Sequence, residues 1–170
     1  MNAAIRSRLL SELRGKRPGP SRWITRERPK IDRIACPWLI LRFIDAGAEI
    51  LFVPAQNVRM AAEREHAIPF DVPDVRFSHR DEACSFDAFV ADFELDDPAL
   101  DTLARIIRGA DTSRLDLAPE AAGLLAVSLG LSRVFADDSE MLRHGLVLYD
   151  ALYAWAREAR AETHGWPPAT

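Results

Sequence analysis

The chain has 170 residues, 48% of them apolar and 28% charged, and a net charge of −4. That length suits one ordinary soluble domain, and the composition excludes a mainly disordered or collagen-like chain. No apolar run approaches the ~20 residues of a membrane helix. Two cysteines cannot build a disulfide framework or a four-cysteine zinc site, and the acidic total argues against bulk nucleic-acid binding.

Charge divides the chain. Residues 1–30 carry nine basic and two acidic side chains, and the remainder carries 13 basic and 24 acidic. The start, MNAAIRSRLLSELRGKR, lacks the apolar core of a secretory signal. Ile5, Leu9, Leu10 and Leu13 share one helical face, so a short basic amphipathic helix and a linker are expected over 1–21. A cytoplasmic location and two unpaired thiols in a reducing compartment follow.

The body is expected over 22–162. Trp23-Ile24-Thr25 reads as a strand, and Pro37 as the first residue of an apolar helix, since its missing N–H is not needed there. Ile50 to Val53 reads as a second strand, 56–66 as a polar helix, and Val75 to Ser78 as a third strand after an irregular 69–74. A helix is expected from Ala83 to Phe93, and another from Asp97-Pro98 to a stop near Gly109. Pro119 opens a helix of small and apolar residues that is expected to be central, and the last helix spans Ser139 to about Ala161. Residues 163–170 are expected to be a tail. The fold class is α+β, predominantly helical, with a few short strands in the first half packed on a bundle of helices.

Both cysteines fall at expected helix starts: Cys36 before Pro37, and Cys84 ahead of Phe86 to Phe93. Free N–H groups and the positive dipole end favour thiolate and attract small anions. Cys36 and Cys84 are thus the candidate reactive groups, with Arg33, Arg80 and Asp32 beside a bound oxyanion. The alternative for each thiol is plain burial as a small hydrophobe. His79, Glu82 and Cys84 offer nitrogen, oxygen and sulfur ligands within six residues, a set that zinc and iron accept. The alternative there is a solvated turn. Asp111 is a further candidate ligand. His144, flanked at helical spacing by Met141, Leu148 and Trp155, is expected to face inward and join the same set.

Five segments carry a family resemblance: WITRERPKIDRIACPWLI (23–40), PFDVP (69–73), SHRDEACSFD (78–87), RGADT (108–112) and YDALYAW (149–155). Together they resemble the chromate-resistance protein family of the ChrB C-terminal domain type, over about Trp23 to Arg157. The resemblance implies an accessory role in bacterial chromate resistance. It also implies longer relatives that are chromate-responsive regulators and others fused to a sulfurtransferase-like domain. Three functions are therefore open. One is a module that binds or senses chromate or a divalent metal (zinc or iron). Another is a metal- or thiol-dependent enzyme acting on chromate or reactive oxygen species. The third is a DNA-associated regulator, disfavoured because the chain adds only a short basic helix to the shared body. The final helix with Trp155 offers a face for a homodimer.

Overall fold

The computed structural model describes residues 3–15 and 19–162; the expected tail and residues 16–18 of the linker lie outside the described residues. The order is α1 (Ala3–Arg14), β1 (Arg22–Arg26), α2 (Asp32–Leu39), β2 (Glu49–Val53), α3 (Val58–Glu65), β3 (Ile68–Pro69), α4 (Ser85–Asp92), α5 (Pro98–Asp111), α6 (Ala121–Val134) and α7 (Asp138–Ala154). The class is α+β and mainly helical, with the strands in the first half.

The sheet is parallel, in the order β2-β1-β3. Trp23 pairs with Ile50 on one side and Ile68 on the other. The third strand is therefore Ile68–Pro69, where an irregular segment was expected. Pro69 lacks an N–H, which an edge strand tolerates. The expected strand at Val75 to Ser78 reduces to one bridge, Phe77 with Phe70. Phe77 is fully buried and stacks on Phe89 at 4.3 Å between centroids. Its side chain serves the core while its neighbours form turns.

Trp23, Phe77, Phe89 and Phe93 form one aromatic cluster, and Trp38, Phe43, Tyr149 and Tyr153 another. The second joins α2 to α7. There Gly145 is required, because a Cβ would stand 2.4 Å from Ile34 Cγ2.

Two helix boundaries and the placement of one helix differ from expectation. α2 starts at Asp32, five residues before Pro37, because the Ile31 carbonyl already accepts from the Ala35 N–H at 2.8 Å. Pro37 then forfeits only one bond inside the helix, and a π-helical segment, Ile40–Ile44, follows. α5 passes through Gly109 to Asp111. Gly109 is a close contact and not a stop, since a Cβ would lie 2.9 Å from Ala121 Cβ. α6 is peripheral: it buries Ala121, Leu124, Ser128 and Ser132, while Val127, Leu129 and Val134 are exposed. Small residues let it lie against α5 and α7 on one face only.

α1 docks on the body. Leu9 is buried, Leu10 and Leu13 pack against the core, and Arg6 donates to the Phe43 carbonyl at 2.7 Å. No helix among the described residues is long and apolar enough to cross a membrane.

Candidate functional site

The ends of three helices and one loop meet beside the sheet. Asp32 opens α2, Asp111 closes α5, Ser85 opens α4, and His79 lies in the loop before α4. Ligand atoms of Asp32, His79 and Asp111 lie within 4.8 Å of one another. His79 Nε2 is 3.1 Å from Asp111 Oδ2 and 3.6 Å from Asp32 Oδ2. Ligands ~2.0–2.2 Å from a tetrahedral ion stand ~3.3–3.6 Å apart, so the spacing fits a shared cation.

Asp71 completes the cluster. It follows β3 with a φ of 50°, and its Oδ1 is 3.6 Å from His79 Nε2. Its carboxylate accepts from Ser85 Oγ at 2.8 Å and from Arg26 Nη2 at 2.8 Å, with Arg33 Nε at 3.3 Å. Burial pushes Asp71 up, but contacts with His79, Ser85 and Arg26 outweigh it and leave it below the usual carboxylate range.

Asp32 is the deepest member, with a side chain only 1% exposed. Its Oδ2 accepts from the Ser85 N–H at 2.5 Å, while Oδ1 is buried with no hydrogen-bond partner among the described residues. Burial first, then the charges of Asp111 and Asp71, raise its pKa to about 8. Asp111 is raised for the same reasons, burial and then Asp71. His79 and the Asp32 backbone N–H draw it the other way and do not offset these. His79 is raised to about 9, chiefly by the Asp71 carboxylate.

Behind the cluster the backbone is strained. Ile31, a β-branched residue, holds φ 34° and ψ −96°. Its carbonyl also accepts from the Tyr149 hydroxyl of α7 at 3.2 Å, and Tyr149 is fully buried. α7 thus fixes the peptide that carries Asp32.

The remaining expected residues divide. Cys84 is the N-cap of α4 and adjoins Asp32, as its helix-start position implied, but its thiol is raised, not lowered. Burial is the main cause, followed by Asp32 and Asp87. Cys36 lies within α2 and not at its start, and burial and then Asp32 raise its pKa well above normal. The dipole argument fails for both, because desolvation and nearby carboxylates outweigh a helix end. Glu82 is 91% exposed and approaches Arg114, away from the cluster. His144 faces outward and stacks on Phe135 at 4.3 Å. The buried face of α7 is Met141, Leu142, Gly145 and Tyr149. Arg80 makes two bonds to Asp92 at 2.7 and 2.9 Å on the surface and does not reach the site. Arg33 and Asp32 do belong to it. Sequence reasoning missed Asp71, Ser85, Arg26 and Tyr149. Asp71 was visible only as part of the PFDVP segment.

The family described as ChrB, C-terminal domain, matches residues 23–156. A curated relative, Protein ChrB of Cupriavidus metallidurans, is 35% identical over 132 residues, which cover 77% of this chain. The chain spans 39% of that protein's length. No solved structure gives a significant match.

Proposed function

This chain belongs to the ChrB C-terminal domain family, and on that premise we propose that it is a cytoplasmic chromate-resistance accessory protein that works by binding a divalent metal ion. The ion, zinc or iron, is held by Asp32, His79 and Asp111. The observation that carries this reading is the unpartnered, buried Asp32 Oδ1 in a cluster of three carboxylates. A buried carboxylate oxygen without a donor is costly, and a cation supplies the missing partner. One imidazole and two carboxylates form a donor set that suits zinc and iron.

The other readings have less support. A tetrahedral dianion such as chromate would meet three carboxylates in the metal-free cluster. Thiol chemistry needs accessible thiolate, whereas both thiols are buried and held protonated. The basic arm spends part of its surface on the body through Leu9 and Arg6, which disfavours a free DNA-binding segment.

Metal analysis and calorimetry of the purified protein test the proposal. One Zn²⁺ or Fe²⁺ per chain is expected. His79→Ala and Asp111→Asn lose it, while Glu82→Ala and His144→Ala keep it. No uptake by the wild type, or unchanged uptake by the first pair, refutes the proposal.

A further inference from the structure

Exposed apolar surface gathers on one helix. Of the six large apolar side chains that stand exposed among the described residues, Val127, Leu129 and Val134 belong to α6, Leu115 to the turn before it and Val147 to α7 beside it. The only charged residue of α6 is Arg133. Its outward side carries Ala126, Val127, Gly130 and Val134 at helical spacing, all exposed, and a Cβ on Gly130 would meet nothing within 4 Å. A notched row of small and apolar residues lets a second helix pack closely. The two ends of the row differ in charge. The last turn borders a groove of about 550 Å³ lined by Arg28, Lys30 and Arg133 beside Leu129 and Gly130, with no carboxylate in the lining. Arg28 spends its guanidinium on the Phe135 and Ala136 carbonyls, whereas Lys30 and Arg133 have no ion-pair partner among the described residues. The first turn carries both signs. Asp116 takes Arg114 at 3.2 Å, and Glu120 has no ion pair among the described residues, although Arg105 and Arg160 border the same small cavity.

We propose that α6 is a self-association surface, on which a second copy of this chain packs its own α6 antiparallel across a two-fold axis near Ala126 and Val127. The patch complements itself, as a two-fold interface requires. Antiparallel packing lays one apolar row on the other. It also brings Asp116 and Glu120 of each copy towards the Lys30 and Arg133 end of the other, so the charge match occurs twice. Parallel packing would set the two cation-only ends against each other. A nucleic acid would meet the cations but leave Val127 and Val134 in water. The face around Trp155 is a poorer choice, since Trp155 already packs against the core. The proposal does not depend on metal binding.

Sedimentation equilibrium of the full chain from about 1 to 200 µM tests it, a span that covers the micromolar affinities of modest interfaces. A species of twice 19.0 kDa is expected. Val127→Glu sets two carboxylates against each other at the axis, and Arg133→Glu removes the cationic end. Each is expected to weaken association about tenfold or more, with an unchanged far-ultraviolet circular dichroism spectrum showing that the variant is folded. Met60→Glu, on the exposed side of α3, is expected to change nothing. Under a mild oxidant Ala126→Cys is expected to cross-link to its counterpart and Val134→Cys is not, because antiparallel helices hold the two copies of residue 134 ~22 Å apart. The native thiols are buried. A single-chain mass at every concentration overturns the proposal, as does a dimer that Val127→Glu leaves intact or that Met60→Glu weakens equally. Val134→Cys linking as readily as Ala126→Cys overturns the antiparallel arrangement.

Discussion

Asp32→Asn separates the two demands on the site. In the folded, metal-free protein Asp32 keeps its proton up to about pH 8, against an ordinary value of 3.8. The folded state therefore holds a proton that the unfolded state has released, and stability falls as pH rises from about 4 to about 8. Each tenfold change in proton affinity is worth ~1.4 kcal/mol, so full ionisation costs at most ~6 kcal/mol. Asparagine never ionises. It keeps an oxygen for the Ser85 N–H but loses the charge-assisted part of that bond, about 1.5–3 kcal/mol. A net stabilisation of about 3 kcal/mol at pH 8.5, shrinking towards zero near pH 4, is expected from these two terms. Urea unfolding of chelator-treated protein, followed by tryptophan fluorescence at pH 5 and 8.5, measures it. Zn²⁺ at a hundredfold excess over its Kd adds ~2.7 kcal/mol to the wild type and nothing to the variant. A variant less stable than wild type at pH 8.5, or a gain equal at both pH values, refutes the reasoning.

Four further predictions concern other residues. Tyr149→Phe removes the hydroxyl on the Ile31 carbonyl; it should cost about 1 kcal/mol and weaken Zn²⁺ binding by calorimetry. Gly145→Ala should cost about 1–3 kcal/mol by overpacking, since its methyl would meet Ile34 at 2.4 Å. Gly123→Ala, with nothing within 4 Å, should gain about 0.5–1 kcal/mol in denaturant unfolding. Neither cysteine should react with a thiol reagent in the native protein, and both should react in denaturant. Rapid native labelling of either would return thiol chemistry to consideration.

Local chemistry made much of the fold readable. Trp23 to Thr25, the capping Asp97 before Pro98 and the periodic face of α7 all declare their elements within a few residues. The failures are tertiary. Pro37 looks like a helix start, but the helix starts at Asp32, where the Ile31 carbonyl takes the Tyr149 hydroxyl from α7. Gly109 looks like a stop until Ala121 packs on it. His144 looks inward from its apolar neighbours, yet the face α7 buries is set by Ile34 against Gly145, the next residue and about 100° round the helix. The site was half legible. His79, Asp111 and Asp32 stand out as polar groups in connections, whereas Asp71 and Ser85 look like ordinary loop residues until the sheet and α4 bring them together.

The arrangement also explains why these carboxylates can share so small a space. Two of the three are met by a donor at a helix start or by a guanidinium, and Asp111 faces His79 at 3.1 Å. Asp32 takes the Ser85 N–H of α4, and Asp71 takes the Ser85 hydroxyl and Arg26. Helix N-termini are natural hosts for negative charge. That compensation suffices for Asp71, which stays below its ordinary range, and fails for Asp32 and Asp111, which are both raised. The imbalance falls on the two carboxylates around His79 Nε2 that have no arginine partner among the described residues. A site built only for stability would pair all three or replace the deepest one. Leaving the deepest carboxylate half-satisfied, next to an imidazole at ligand spacing, suits the proposed cation site: an ion there would take the place of the proton that the metal-free fold keeps on Asp32 up to about pH 8.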